Sequence, residues 1–247
     1  MNDSNVRNTH KHEQIARLDR VAARLWDEIL NTSPVFEAVD AGRVDRKFFA
    51  LYMLETYQYT LHNARNQALV GVRTLSARPQ YVQFCFQHAA EETGHELMAL
   101  HDFKTLWPEG ASFDIPQPLV DTEVLIAYLY WISATGNPLQ RMGYSFWAES
   151  SYKYIMPKLR RLQECLGLSR HQLTFFIAHS DIDAKHAEEI ERELMQNCET
   201  DADWQAVERV MTTSLRLTGR FLDGIWAEYQ RLLAGTPSVY AFLNAHL

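Results

Sequence analysis

The chain has 247 residues, 47% of them hydrophobic and 22% charged, with a formal net charge of -7. Such a composition belongs to a globular chain with a large core. Without clustered Lys and Arg, it argues against nucleic acid and against an anionic membrane surface as partners. Three cysteines, Cys85, Cys165 and Cys198, form no C-x2-C pair and fit a reducing compartment. The polar N-terminus holds no signal-peptide core, and no run of about 18 apolar residues is present, so the expectation is a cytoplasmic protein with no membrane span.

Taken in order, the chain reads as helix after helix. Residues 1–9 are expected as a disordered tail. From about His10 to Leu30, the residues Ile15, Leu18, Val21, Ala22, Leu25 and Ile29 mark a 3.6-residue stripe. Thr32-Ser33-Pro34 stops it and starts a short helix, because proline suits the first helical position. One long helix is predicted after Asp45, running through Phe48, Tyr52, Tyr57, Leu61 and Ala68 towards Leu75. Another is predicted from Pro79 to Leu106, and the segment to Pro118 reads as a loop. Helices follow at Thr122–Thr135 and Pro138–Leu166, the second expected to kink at Pro157 just past Glu149. Ser169 and Gln172 form a capping box for the next helix, which fades near Asn197. A helix from Asp203 to Leu233 and a short one after Pro237 complete seven or eight helices in a single domain, 1–247. Hairpin signals are lacking, so the fold class is all-α.

One stretch carries chemistry most plainly. His179, Asp183 and His186 read H-x3-D-x2-H, which places two imidazoles and a carboxylate on one helical face. His88, Glu92 and His95 repeat the spacing as H-x3-E-x2-H. Between them Glu149 is a lone acid in a run of aromatic and small residues, where an unpartnered carboxylate is expensive. Imidazoles and carboxylates pointing inward from separate helices are what a two-metal site in a bundle needs. Each part alone has a plainer explanation. An E-x2-H pair occurs on solvated faces, and Lys185, Glu188 and Glu189 beside the third motif are solvent-type residues.

Together the motifs resemble the haem-oxygenase-like di-iron oxidases and oxygenases. That family carries a Glu and a His on one core helix, a Glu on a later one, and H-x3-[DE]-x2-H on another. Glu92 and His95, Glu149, and His179, Asp183 and His186 match in order and separation over about residues 10–235. The E-x2-H form of the first motif is most similar to the branch with the 1-undecene-forming fatty acid decarboxylase. The resemblance implies a haem-oxygenase-like (TenA/PqqC-like) bundle and two non-haem Fe ions held by those six residues. It also implies O2 and a small organic substrate as partners, a peroxo-di-iron intermediate, and a homodimer. The register of the first motif stays open: His88 and Glu91 are alternative ligands or groups behind the ligands.

The substrate, fatty-acid-like or amino-acid-like, is not chosen by these residues. Tyr52, Tyr57, Tyr59, His62 and Arg65 are expected to wall its pocket, and Arg65 or Arg141 to hold a carboxylate. Competing readings within the same fold are a haem or tetrapyrrole binder using His10 or His12, and a TenA/PqqC-like protein with Cys85 as nucleophile. A further one is an iron-binding protein without catalysis.

Overall fold

The computed structural model describes residues 3–74 and 78–247, with side chains from residue 7 onward except those of 179–184. The first helices are α1 (Asp3–Thr32), α2 (Pro34–Asp40), α3 (Arg46–Thr60), α4 (Asn63–Arg73), α5 (Pro79–Glu91) and α6 (Glu96–Lys104). After the predicted loop come α7 (Val120–Ala134), α8 (Met142–Ala148), α9 (Tyr152–Leu166), α10 (Thr174–Asn197) and α11 (Asp201–Leu233). Two 3-10 helices, Arg170–Gln172 and Ala241–Ala245, complete the described elements, among which there is no strand.

α11 is the spine. Thr200 and Asp203 cap its N-terminus reciprocally. Its buried stripe runs through Trp204, Val207, Met211, Leu215, Leu222, Ile225 and Tyr229, the spacing that keeps one face inward. α1, α3, α7 and α8 pack around it. α8 comes closest, because Gly143 meets the α11 backbone: a Cβ there would lie 2.1 Å from the Val207 carbonyl oxygen. Trp147 then donates to Ser214 Oγ at 2.8 Å, fixing the rotation of α8. Glu55 in α3 is fully buried and takes the Leu119 N–H and the Thr122 and Tyr240 hydroxyls, tying α3 to α7 and to the C-terminal segment.

The helix count departs from expectation in a consistent way: three predicted long helices are each two. The first breaks at Leu61-His62, where Asn66 donates its side chain to the His62 carbonyl at 2.8 Å. The second breaks at Thr93-Gly94. There Thr93 Oγ1 donates to the Ala89 carbonyl, and Gly94 takes φ 97°, a region open to glycine. The third breaks at Glu149–Ser151, where Ser150 Oγ donates to the Phe146 carbonyl at 2.8 Å. Small polar side chains that satisfy nearby carbonyls compete with helix continuation at each break. Pro157 is not the cause of the third, since it lies inside α9. At the N-terminus α1 starts at Asp3, so the segment expected as a tail is helical from that residue.

Candidate metal centre

Two of the three breaks put ligand-type residues at helix ends. Glu92 caps the C-terminus of α5, His95 the N-terminus of α6, and Glu149 the C-terminus of α8. The predicted single helical face therefore holds for His88 and Glu92 but stops there, and His95 reaches the site from the following turn. His186 comes from the middle of α10. His179 and Asp183 lie outside the described residues.

One ligand atom from each of His88, Glu92, Glu149 and His186 lies within 4.8 Å of the other three. His88 Nε2 is 3.5 Å from Glu149 Oε1, and His186 Nδ1 is 3.3 Å from Glu149 Oε2 and 3.8 Å from Glu92 Oε1. His95 Nδ1 joins through Glu92 Oε1 at 3.4 Å. Glu91 stands on the outer side of His186, 3.3 Å from Nε2, and receives the Gln87 amide. The two adjacent acids thus divide: Glu92 faces inward, and Glu91 backs the histidine. His88 belongs to the inner group.

These contacts are longer than good hydrogen bonds of about 2.7–3.2 Å. Both ring nitrogens of His88 and Nδ1 of His186 are buried with no hydrogen-bond partner among the described residues. Leaving such groups unsatisfied costs roughly 1–3 kcal/mol each. A cation bound at about 2.1 Å would separate adjacent ligands by about 3 Å and opposite ones by about 4 Å, close to the observed spacings. The nitrogen and oxygen donor set thus fits a transition-metal ion. Burial alone would push Glu149 up, but the imidazoles of His186 and His88 beside its oxygens hold it below the usual carboxylate range. His186 is raised in turn, chiefly by Glu149.

A cavity of about 140 Å³ opens onto His88, Glu92 and Glu149. Near them its wall is polar, formed by Thr60, Asn63, Arg141, Ser145 and the linked hydroxyls of Tyr59 and Tyr144, 2.9 Å apart. Farther out it is aromatic and aliphatic, with Trp26, Phe36, Phe48 and Leu159. Tyr52 and Tyr59 line it as expected; Tyr57, His62 and Arg65 do not. His62 turns to the Tyr130 hydroxyl at 3.0 Å, Arg65 is exposed, and Tyr57 is half-buried on another face of α3. Asn63, one turn on from Thr60, takes the inward place. A polar stripe at Thr56, Thr60 and Asn63, spaced by one helical turn, was the available signal.

Two competing site assignments lose support. His10 and His12 sit exposed on α1 and do not line the cavity; His10 pairs with Asp201. Cys85 is fully buried and burial pushes its thiol up to about 11, the opposite of nucleophile activation.

Residues 50–219 match a family described as iron-containing redox enzymes. A crystal structure from Shewanella denitrificans OS217, described as a domain of unknown function with a haem oxygenase-like fold, is 50% identical. The match covers 90% of this chain and 95% of that one, with a TM-score of 0.85. TenA homologues from P. horikoshii OT3 and Pyrococcus furiosus share the fold at 13% and 14% identity, with TM-scores of 0.69 and 0.66. They cover 87% and 85% of this chain, and the matches span 98% of each of theirs. No match is found among curated proteins. The all-helical architecture described above is the haem oxygenase-like fold.

Proposed function

The chain belongs to the family of iron-containing redox enzymes, and from that premise we propose that it is a non-haem di-iron oxidase or oxygenase acting on a small organic substrate. The observation that carries this reading is the buried set His88, Glu92, Glu149 and His186, in which both His88 ring nitrogens and His186 Nδ1 have no hydrogen-bond partner among the described residues while two carboxylates face them. His95 joins through Glu92, and the spacing of His179 and Asp183 on the sequence of α10 adds them to the proposed ligands. Bound iron supplies activation of O2 and oxidation of the substrate.

The protein's own groups do the rest. Glu92 and Glu149 bring negative charge that offsets a cation pair. Glu91 Oε2 lies 3.3 Å from His186 Nε2, on the side away from the cluster, so a carboxylate stands behind this ring as is common behind metal ligands. Burial of His88, Glu92 and His186 keeps bulk water from the cluster. Burial also pushes the Tyr59 and Tyr144 phenols up, so both stay protonated, linked to each other and, through Tyr144, to Asn63 Oδ1 at 3.2 Å. Homodimeric assembly belongs to the same reading.

Anaerobic titration of the full chain with Fe(II), followed by metal analysis and O2 uptake, tests the proposal. The expected result is about two irons per chain and O2 consumption that needs them. Iron bound without any O2 uptake across a panel of organic acids and amines would reduce the protein to an iron binder.

A further inference from the structure

Arg141 is buried, 2% exposed, yet its partners are neutral. Its Nε donates to Asn66 Oδ1 at 2.6 Å and its Nη1 to Ser145 Oγ at 2.7 Å. The guanidinium lies 5.1 Å from the centre of the Tyr144 ring. No carboxylate pairs with it among the described residues. Glu92 is near enough to favour its charged form but belongs to the metal cluster. A guanidinium stays protonated in proteins, and burying one without a counter-charge is strongly unfavourable. Only two of its five N–H groups are engaged by these bonds, and the residue lines the cavity. The planar fork of those donors matches a carboxylate.

We propose that Arg141 anchors the carboxylate of the substrate, and that the substrate is a small apolar monocarboxylate whose body lies in the aromatic part of the cavity. The cavity, about 140 Å³, is close to the roughly 150 Å³ that admits a benzene ring, so one ring or a short alkyl chain fits. The geometry also orders the molecule. Arg141, Ser145 and Glu149 follow one another at i, i+4 and i+8, each step about one turn, or about 6 Å. A carboxylate held by Arg141 beside Ser145 therefore sits about a turn from the ligand cluster. The carboxyl end then lies along the polar wall on the cluster side, and the apolar body extends into the aromatic part. The identity of the anchored molecule as a substrate rests on the proposed iron chemistry; the anchoring itself does not.

Calorimetric titration of the full chain, metal-free and Fe(II)-loaded under anaerobic conditions, tests this with three probes of one shape: 3-phenylpropionate, 3-phenylpropan-1-ol and 3-phenylpropylamine. The acid is expected to bind at least about tenfold more tightly than the alcohol or the amine. In Arg141→Gln that preference disappears while alcohol binding is kept, and Arg141→Lys restores only part of it because the fork is lost. Should Arg141→Gln fail to fold, the wild-type preference for acid over alcohol and Arg141→Lys still decide. Equal binding of acid and alcohol by the wild type, or a preference undiminished in Arg141→Gln or Arg141→Lys, overturns the inference. Iron binding with O2 uptake but no acid preference defeats this inference alone. Acid preference in a chain that binds no iron defeats the di-iron reading alone.

Discussion

Glu149 reaches the cluster from a helix locked against α11 by backbone contact, whereas Glu92 and His95 reach it from a turn. On the first side, Gly143 lets α8 lie against Val207 and Met211, and Trp147 and Ser214 fix its rotation. Asn137, just ahead of α8, donates to Asp203 in the first turn of α11 at 2.7 Å. On the second side, the link from α5 to α6 depends on Gly94 in a positive-φ conformation with open space where a Cβ would point. The same cluster is thus held by tertiary packing on one wall and by local backbone geometry on the other. The first should fail through the whole fold, the second through the site.

Breaking the packed wall should have the largest effect. Gly143→Ala sets a methyl group against two backbone atoms of α11 that have no rotamer to yield. We expect a loss of about 3 kcal/mol or more in denaturant unfolding, above the usual range for a single methyl insertion. Iron binding should be lost with it. A midpoint unchanged from wild type would show that α8 can slide, and the contrast between the walls would collapse.

Gly94→Ala sharpens the other half. No atom blocks the methyl group, so the cost is backbone strain alone, about 1–2 kcal/mol. Unfolding should move modestly, while Fe(II) affinity falls more than stability does, because His95 follows Gly94 directly. A variant that binds iron like wild type would mean that His95 is not held by this turn.

The smallest effect concerns the junction of α8 with α11. Burial opposes ionisation of Asp203, but Asn137, Thr200 and the Glu199 backbone hold its carboxyl below the usual range. A depressed folded value stabilises above the unfolded pKa, about 3.9 for Asp, and that contribution is lost as pH falls through the folded value. Asp203→Asn should therefore cost about 1 kcal/mol at pH 7. The gap to wild type should close as pH falls from about 5 towards 3. Parallel stability curves for the two proteins over that window would contradict this.

The all-helical class, the α11 stripe and the chemistry of the ligand-type residues are legible in the sequence, because periodicity and residue type carry them. The Ser169–Gln172 box forms, but it caps the 3-10 turn Arg170–Gln172 and not α10, which starts at Thr174. The breaks are not legible. At Thr93-Gly94 and Ser150 the outcome turns on whether a hydroxyl takes a nearby carbonyl, and apolar spacing hardly registers that. The missed breaks explain the misplaced register: a straight helix aligns His95 with His88, and a broken one does not. At the cavity wall the helical spacing of Thr56, Thr60 and Asn63 is regular, but aromatic and cationic side chains draw the reading to Tyr57, His62 and Arg65 instead. Arg141 shows a different limit. Its burial follows from the approach of α8 to α11 and from Asn66 on another helix, both long-range contacts.

The central claim is that the buried imidazole–carboxylate cluster binds iron. Glu149 tests it most directly, since its carboxylate faces both His88 and His186. The measurement is iron per chain after anaerobic loading and desalting, for wild type and Glu149→Gln, with folding checked by circular dichroism. The account predicts iron retained by wild type and an affinity at least about a hundredfold weaker in the folded variant, beyond the effect of losing a group behind a ligand. Equal iron content in the two proteins would contradict it.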